Sequence, residues 1–553
     1  MRFCVRGRGE GSAVKTFDFI IVGAGSAGCV LANRLSQDPA HRVLLLEAGG
    51  QDRHWLMKAP LGFFPLMRDR SLSWPYRSEP EPNADNRVLD LPRGRLLGGS
   101  SSINGMMYAR GHSGDYDQWR QLGLEGWGYA DVLPYFKRAE SSWRGETAHH
   151  GGSGPLTVVP NHVHDPVIQP AIMATARAMG HAIVDDFHAP DPEGFSTPEF
   201  NVHNGQRAST SARYLRPIMG RPNLTVETGA LTTRILFEGT RAAGVEYVQA
   251  GQLRQAHASR EVVLSGGAYN SPQLLMLSGV GSADELRDVG VTPFHDLPGV
   301  GRNLQEHPNV GVAFSANGPI AFESQLRFDR MALAAIEWAL FKTGPLAELP
   351  ISAMAFLKTR EGLQLPDVQV LFSPVAMDGE VWFPLVHKGK GHVLSIAATL
   401  ARPESRGWVR LRSSDPREAP RIQINLFEQP ADLATLRRAI RLIRDFFATP
   451  PAAGLVDREL FPGADAQSDA ALDAHIRATS ATAHHPTSTC AMGLGDDAVV
   501  DAALQVRGLQ GLRVIDASVM PRIITGNTNA PTIMIAEKGS DLILGRTLEP
   551  AAL

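Results

Sequence analysis

Three glycines and a glutamate near the start of the chain have the types and spacing of a dinucleotide-binding site. Gly23, Gly25 and Gly28 form the pattern G-x-G-x-x-G, and Glu47 lies 19 positions after Gly28. In this pattern the first glycine makes a tight turn, the second lets the backbone approach a pyrophosphate, and the third allows close helix–strand packing. An acid at Glu47 can accept hydrogen bonds from both ribose hydroxyls. That argues against the 2′-phosphate of NADP and leaves NAD and FAD open.

The elements around these glycines are those that a dinucleotide fold requires. Residues 17–22 form an apolar run that is typical of a buried parallel strand. Apolar residues at helical spacing follow the glycines, and residues 42–46 predict a second strand that ends at Glu47. We expect the helix to present its N-terminal N–H groups to the phosphates. The alternative is an ordinary glycine-rich turn in an α/β protein.

A second glycine-rich loop has the composition of an anion-binding nest. Gly98 and Gly99 precede three serines, Arg93 and Arg95 lie before them, and an apolar segment follows. Backbone N–H groups in such a loop can cradle phosphates or a flavin ring, and we expect the loop to open into a helix. A plain glycine–serine connector is the alternative.

The bulk composition is that of a soluble globular protein. Because 553 residues are too many for one core, we expect two or more domains. A net charge of −3 argues against nucleic acid as a partner, and no apolar run reaches the roughly 18 residues that span a bilayer. Three scattered cysteines without metal-ligand spacing predict a cytoplasmic location. The first 15 residues lack a secretory signal and are predicted to be a disordered tail.

Local periodicity predicts further elements. Helices are expected after Ser271, which would cap the first of them, across residues 433–447, and from near Pro531. The strands predicted at residues 225–226, 234–237 and 244–248 alternate in the manner of antiparallel strands, with a turn near Gly239. Strands are expected at residues 225–226, 234–237, 244–248, 260–265, 368–372, 392–398, 408–411 and 512–516.

Over residues 17–544 the chain resembles the glucose–methanol–choline oxidoreductases. Two long signatures carry the resemblance: residues 94–104 through Asp117, and residues 267–272 through 278–281. Within the family the chain is most similar to the choline-dehydrogenase-like branch, which includes aryl-alcohol and hydroxymethylfurfural oxidases. The resemblance implies an α/β fold, with a Rossmann-type FAD-binding domain and an inserted α+β substrate domain that carries an antiparallel sheet. The implied FAD-binding domain comprises residues 16–160, 213–312 and 475–546, and the substrate domain comprises residues 161–212 and 313–474.

The resemblance also implies that the cofactor is FAD. Some relatives attach FAD covalently through a histidine that falls at position 103, and the residue here is Ile103, so noncovalent FAD is expected. The glycines of the fingerprint belong to this site. The other residues that the resemblance assigns to FAD are Ser26, Ala27, Glu47, Ala48, Trp74, Leu97, Ser101, Asn104, Gly105, Met106, Met107, Thr232, His484, Asp516, Ala517, Asn529, Pro531 and Thr532.

The catalytic pair of the family is a histidine before proline and a histidine or asparagine 44 positions later, which here are His485 and Asn529. Alcohol oxidation removes a hydroxyl proton and a carbon-bound hydride, and histidine is the usual base near neutral pH. The asparagine amide can hold the same oxygen. His484 is the alternative base, or the two histidines could form half of a metal site, although no metal is predicted. His307 is expected to be structural.

The resemblance places the substrate against apolar side chains. They favour a primary alcohol with an apolar or aromatic body, or a hydrated aldehyde, over a sugar or choline, with oxygen or another electron acceptor. The alternatives are a choline-type dehydrogenase that uses a quinone, a hydroxynitrile lyase, a light-driven fatty-acid decarboxylase and a non-catalytic flavoprotein. The oligomeric state is not predicted. The expected pocket residues are Met354, Phe356, Met377, Trp382 and Phe383.

Overall fold

Two large sheets form the frame of the part of the chain that the computed structural model describes, residues 15–161, 166–384 and 386–553. The strands are β1 Lys15–Val22, β2 Val43–Glu47, β3 Ser73–Trp74, β4 Arg93–Gly94, β5 Glu140–Ser142, β6 Leu156–Pro160, β7 Gly194–Ser196, β8 Glu199–Phe200, β9 Val202–His203, β10 Gln206–Arg207, β11 Leu224–Thr228, β12 Ala230–Glu238, β13 Arg241–Gln249, β14 Gln252–Leu264, β15 Val280–Gly281, β16 His295–Asp296, β17 Pro308–Ala316, β18 Ala353–Leu357, β19 Val368–Ser373, β20 Val393–Leu400, β21 Trp408–Arg410, β22 Arg421–Gln423, β23 Val456–Phe461, β24 Ala481–Thr482 and β25 Leu512–Val514. The helices are α1 Ser26–Leu35, α2 Phe63–Arg68, α3 Ser113–Gln121, α4 Tyr129–Ala139, α5 Ile168–Ala178, α6 Gly267–Leu277, α7 Ala283–Asp288, α8 Phe328–Phe341, α9 Pro430–Ala448, α10 Asp469–Thr479 and α11 Asn529–Ile543.

The first sheet has the order β11-β2-β1-β14-β13-β12, and β25 pairs with β14. The pairs from β11 to β14 and the β14–β25 pair are parallel, whereas β12, β13 and β14 are antiparallel. The apolar run of β1 is buried because parallel strands are covered on both faces. The predicted strand–helix–strand unit and α/β class are therefore confirmed.

The strand at residues 225–226 was wrongly predicted to be antiparallel. It forms β11, which lies parallel to β2 because a long crossover connects the two and returns the chain to the same end of the sheet. Lys15 was expected in the disordered tail but begins β1, where it pairs with Ala256 of the long strand β14. Residues 1–14 of that tail lie outside the described residues.

Two local predictions were also wrong. The glycine–serine loop makes a single 3₁₀ turn at Gly99–Ser102 instead of opening into a helix. Ser271 does not cap α6, which begins at Gly267 and contains Pro272 in its interior. Proline cannot donate to the carbonyl one turn earlier, that of Ala268. The hydroxyl of Thr489 donates to that oxygen at 2.6 Å, so the helix tolerates the proline.

The second sheet is antiparallel, with the order β23-β17-β20-β19-β18-β7, and β24 pairs with β17. The predicted residues 408–411 lie elsewhere, because β21 pairs with β22 in a separate hairpin. The predicted domain boundaries at residues 312 and 474 fall inside β17 and α10, which are continuous elements. The division into two domains stays a prediction, and its boundaries must move to the ends of these elements. No helix in the described ranges is long and apolar enough to cross a membrane.

Candidate active site

A cavity of about 650 Å³ is lined by residues of both sheets. One part of its wall comes from the C-terminal ends of β1 and β2 and the start of β12. The other part comes from one face of β17, β19 and β20. Ligands of parallel α/β sheets bind at the carboxyl ends of the strands, so this cavity is where the glycine fingerprint predicts a dinucleotide.

The glycine fingerprint forms an open cradle at the N-terminus of α1. Gly23 has a φ of +98°, which only glycine adopts without strain. A Cβ at Gly28 would lie 1.8 Å from the Gly23 carbonyl oxygen, so α1 packs too closely on the turn to allow a side chain. A Cβ at Gly25 would meet nothing within 4 Å, because this residue faces the cavity. The free space and the helix N-terminus suit a pyrophosphate.

The carboxylate of Glu47 lies beside this cradle. Its Oε2 accepts from the Ala24 N–H at 2.9 Å, and its Oε1 accepts from the Gly49 N–H at 2.8 Å. Burial raises the pKa of Glu47 to about 7, against the opposing effect of these hydrogen bonds and of Arg95. Each oxygen keeps a lone pair that can accept from a ribose hydroxyl.

A buried hydroxyl supports a bound cofactor at the same end. Thr232 Oγ1 has no hydrogen-bond partner among the described residues, although its residue lines the cavity. Buried polar atoms are normally paired, so this hydroxyl fits a site that a ligand completes. The open cradle at Gly25, the Glu47 carboxylate and this hydroxyl together fit the ADP half of FAD.

Most residues assigned to FAD line this cavity, and four do not. Gly28 lies beneath the turn, and Leu97 and Pro531 are buried behind the wall. Ser101 Oγ contacts the Gly98 carbonyl at 2.6 Å and Thr210 Oγ1 at 2.9 Å, so it supports the loop from behind. The assigned residues at the wall are Gly23, Gly25, Ser26, Ala27, Glu47, Ala48, Trp74, Asn104, Gly105, Met106, Met107, Thr232, His484, Asp516, Ala517, Asn529 and Thr532.

Asn529 does not face His485, which corrects the predicted catalytic pair. Asn529 is the first residue of α11, and its Oδ1 accepts from Ser26 Oγ at 2.8 Å. This contact joins the N-termini of α1 and α11 at the cradle. Asn529 therefore lies at the cradle, among the residues that were predicted to bind the cofactor.

Asn527 takes the place beside the histidine. Its Nδ2 lies 3.2 Å from His485 Nε2, and its Oδ1 accepts from Gln369 Nε2 at 3.2 Å. The Gln369 contact fixes the amide orientation, since the oxygen must face a donor. Sequence reasoning missed Asn527, although it lies only two positions before the asparagine that was chosen.

His485 is buried within a group of polar residues. Its backbone N–H donates to Glu306 Oε1 at 2.6 Å, and its Nδ1 lies 3.0 Å from His307 Nδ1. Burial, with further contributions from His307, Arg93 and His484, lowers the pKa of His485 well below its usual value. The ring is therefore neutral at neutral pH, as a general base must be.

His484 also lines the cavity, but its ring lies in a different setting. Its φ of +62° is unusual for a residue with a side chain. Its Nδ1 lies 3.2 Å from Thr482 Oγ1, and burial lowers its pKa to about 3. The structure places Asn527 against His485 and not against His484. Within the described ranges, no group of three or more potential ligands could hold a metal ion.

The substrate end of the cavity is the inner face of the second sheet. Asn309, Thr399 and Gln369 pair side by side across β17, β20 and β19, and Leu371 pairs with Ala397 in a neighbouring row. Side chains alternate along a strand, so these residues point to one face. The cavity is also lined by apolar residues from outside these strands, namely Phe63, Phe64, Met67, Leu349, Pro350 and Ile351.

Of the five predicted pocket residues, Met377 lines the cavity. Met354 and Phe356 lie on the same face of the sheet but are fully covered, and Met354 Sδ lies 3.1 Å from Gln369 Nε2. Trp382 Nε1 donates to the Glu323 carbonyl, and Phe383 stacks on Phe328 at the surface. Four of the five are therefore not at the cavity wall.

Comparison with known proteins identifies a family and several relatives of this chain. The family described as GMC oxidoreductase matches residues 17–309 with its N-terminal part and residues 403–536 with its C-terminal part. The mitochondrial choline dehydrogenase of Mus musculus is 44% identical over 539 residues, which cover 96% of this chain and 89% of that one. An oxygen-dependent choline dehydrogenase of Photobacterium profundum is 43% identical over 537 residues, which cover 96% and 94%.

Solved structures share the whole fold. Pyridoxine 4-oxidase from Mesorbium loti superposes with a TM-score of 0.85 at 31% identity, over 95% of this chain and 98% of that one. The formate oxidase of Aspergillus oryzae RIB40 superposes with a TM-score of 0.90 at 26% identity, over 97% and 99%.

Proposed function

This chain belongs to the GMC oxidoreductase family and oxidises alcohols with FAD, and from this premise we propose that His485 and Asn527 act together on a primary alcohol with an apolar body. The observation that carries the proposal is the 3.2 Å contact between His485 Nε2 and Asn527 Nδ2 at the wall of the cavity. An alcohol oxygen that lies beside this contact, within reach of both atoms, can donate to the imidazole and accept from the amide.

The chemistry divides between these two side chains. His485 Nε2 takes the hydroxyl proton as general base, while Asn527 Nδ2 stabilises the negative charge that develops on the oxygen. Loss of that proton makes the carbinol carbon a better hydride donor, and loss of the hydride leaves an aldehyde. FAD, when bound, supplies the acceptor for the two electrons. A hydrated aldehyde carries a hydroxyl on the same type of carbon, so the same pair can act on it.

The lining of the cavity supports an apolar substrate body. Among the described residues at its wall, the only carboxylates are Glu47 and Asp516. Glu47 lies at the ADP end, and Asp516 accepts from Gly267, Ser271 and Ser518. A quaternary ammonium would therefore lack a carboxylate partner among the described residues at the substrate end of the wall. A sugar has several hydroxyls, and each one that Asn309, Thr399 and Gln369 do not pair would lie against apolar side chains at a cost of about 1–3 kcal/mol.

Choline is the second candidate substrate. Two relatives that are 43–44% identical along most of the chain are named choline dehydrogenases. Pyridoxine, the substrate in the name of a structural relative, is instead an aromatic alcohol. A cytoplasmic location and the identity of the electron acceptor stay predictions, and one relative is named as mitochondrial.

The test is anaerobic flavin reduction by a panel of benzyl-type alcohols, a linear aliphatic alcohol, choline and glucose. We expect the apolar alcohols to have the highest second-order rate constants. A tenfold advantage for choline or glucose, about 1.4 kcal/mol of transition-state binding, would assign the pocket to that class instead. His485→Asn is the matched control, and it should retain the flavin spectrum while losing reduction by every alcohol, by about 10²–10⁴-fold.

A further inference from the structure

His307 and His485 are held as a pair by one carboxylate. Glu306 Oε1 accepts from the backbone N–H of His307 at 2.9 Å and from that of His485 at 2.6 Å. The Ala483 N–H also donates to the His307 carbonyl at 2.8 Å, where β24 meets β17. Because both backbones are fixed, the 3.0 Å contact between the two Nδ1 atoms is part of the fold.

The donors and acceptors along this pair permit one consistent arrangement. The Ala401 carbonyl lies 3.1 Å from His307 Nε2 and can only accept, so His307 carries its proton on Nε2. A neutral His307 then has a lone pair on Nδ1. His485 must place its own proton on Nδ1 to donate to that lone pair. Its Nε2 is left unprotonated and faces the amide nitrogen of Asn527.

The opposite arrangement leaves several contacts unpaired. A proton on His307 Nδ1 would direct a lone pair from Nε2 at the Ala401 carbonyl oxygen. His485 would then carry its proton on Nε2, where it meets the NH₂ group of Asn527. Rotating the Asn527 amide would turn that NH₂ group against Gln369 Nε2, which is also a donor. Each unpaired buried group costs about 1–3 kcal/mol, so the first arrangement dominates.

We propose that His307 is a positioning residue that fixes the tautomer of His485, so that the Nε2 lone pair of His485 faces the alcohol. This inference rests on the proposed role of His485 as base. We call the hydrogen-bond chain from the Ala401 carbonyl through His307 to His485 the relay. The Ala401 carbonyl fixes its direction, since a carbonyl oxygen can only accept a hydrogen bond. The imidazolium formed by proton uptake at Nε2 keeps its Nδ1 hydrogen bond to His307.

The surroundings keep both rings neutral, as the relay requires. Burial lowers the pKa of His307 to about 4, against the opposing effect of the backbone carbonyls of Ala401 and Ile524. The groups that face the pair are Glu306, which holds the backbones, and Arg93 and His484, which disfavour a second positive charge. Neither ring binds a second proton near neutral pH, so the hydrogen-bond chain holds the tautomer there.

His307 accepts a hydrogen bond from His485 through Nδ1 and donates one to the Ala401 carbonyl through Nε2. Two variants each keep only one of these two functions. His307→Asn places its side-chain oxygen near the position of Nδ1 and keeps the acceptor. His307→Gln extends its amide toward Ala401 and keeps the donor, but leaves carbon near the position of Nδ1. Both residues are neutral and polar, which limits other effects. His295→Asn, which loses a histidine contact to the Arg507 carbonyl away from the cavity wall, is the matched control.

The first readout is the rate constant of anaerobic flavin reduction in FAD-loaded protein. We expect the rate constant of His307→Asn to stay within about fivefold of that of the unchanged chain. The rate constant of His307→Gln should fall at least about tenfold, because the proton of His485 would no longer be held on Nδ1. Unchanged rates in both variants, a larger loss in His307→Asn than in His307→Gln, or an equal loss in the control would overturn the inference.

The second readout is the tautomer itself and does not depend on turnover. In ¹⁵N-histidine-labelled protein, the ring signals of His485 are identified by their loss in His485→Asn. We expect an unprotonated Nε2 in the unchanged chain and in His307→Asn, and a mixture of tautomers in His307→Gln. A protonated Nε2 in the unchanged chain would refute the relay. Normal flavin reduction in His485→Asn would instead refute the proposed function, so the two failures are distinguishable.

Discussion

At the scale of single residues, burial tunes His485 for proton abstraction. Desolvation and the neighbouring His307, Arg93 and His484 lower its pKa, so the ring is neutral well below the ordinary histidine pKa of about 6.5. A base works in its deprotonated form. We therefore expect the rate of flavin reduction to stay level as the pH falls through about 6.5, and to decline only at lower pH. Anaerobic stopped-flow measurements between about pH 5 and pH 8 test this, and a half-maximal rate at or above about 6.5 would contradict it.

The two asparagines at the start of α11, Asn527 before the helix and Asn529 as its first residue, are expected to have different roles. We expect Asn527→Leu to slow flavin reduction by on the order of 10²-fold, because it removes a donor to the developing oxyanion. Asn529→Leu should weaken FAD retention, because it breaks the 2.8 Å contact with Ser26, and leave reduction of the loaded protein nearly unchanged. Flavin reduction and FAD affinity measured on both variants decide between these roles, and the reverse pattern would restore Asn529 as the catalytic partner.

The assignment of Asn529 shows where reasoning from the sequence ends at this scale. The histidine was chosen because the family resemblance implies a catalytic histidine before a proline, and the structure places it at the cavity wall. Its partner was chosen by a count of positions. The start of α11 turns Asn529 toward Ser26, whereas Asn527 precedes the helix and meets Gln369 from another strand. Neither contact leaves a periodic signal in the sequence.

At the scale of elements, one buried carboxylate joins three helices behind the cofactor cradle. Glu537 of α11 accepts from Arg34 of α1 through two hydrogen bonds of 2.8 Å, and from Arg138 of α4 at 2.8 Å. Tyr214 donates its hydroxyl to the same carboxylate at 3.0 Å. The side chain of Glu537 is fully buried. Because α1 carries Ser26 and α11 carries Asn529, this network fixes the geometry of the cradle.

Glu537→Leu should therefore destabilise the fold and loosen FAD together. The substitution leaves Arg34 without its buried carboxylate and leaves Arg138 with Asp541 alone, which we expect to cost about 3–5 kcal/mol of unfolding free energy. Denaturant unfolding, followed by the release of flavin fluorescence, measures both effects. Asp284→Ala, which removes an exposed pair with Arg287, is the control and should change stability by less than about 1 kcal/mol. A similarly small effect of Glu537→Leu would show that the network does not hold the cradle.

Elements were predictable where a periodic pattern decides them. Strand β1, helix α1 and helix α9 follow from apolar spacing. The parallel pairing of β11 and the separate β21–β22 hairpin were missed, because pairing depends on where the chain returns after long connections. Pocket membership failed for Phe356 for a related reason. It lies on the correct face of the second sheet, but other side chains cover it.

At the scale of the whole molecule, the cavity depends on both sheets. The first sheet supplies the dinucleotide end, and the second supplies the wall beside His485 and Gln369. A ligand that spans these parts binds only the folded chain and stabilises it by mass action. FAD should therefore raise the melting temperature of the whole protein in a concentration-dependent way.

This FAD should also be removable, because the cavity offers no histidine at position 103. Ile103 lines the cavity and packs in a small apolar cluster with Met57, Leu66 and Leu96, so it can only contact the cofactor. Acid precipitation should release all flavin into the supernatant. The protein prepared without FAD should regain its spectrum and its higher melting temperature when FAD is added, and about 100 Kd of free FAD should contribute about 2.7 kcal/mol of stability. Flavin that remains with the precipitate would show a covalent bond and refute the argument from Ile103. A melting temperature that does not respond to added FAD would show that FAD does not bind the folded chain in this cavity.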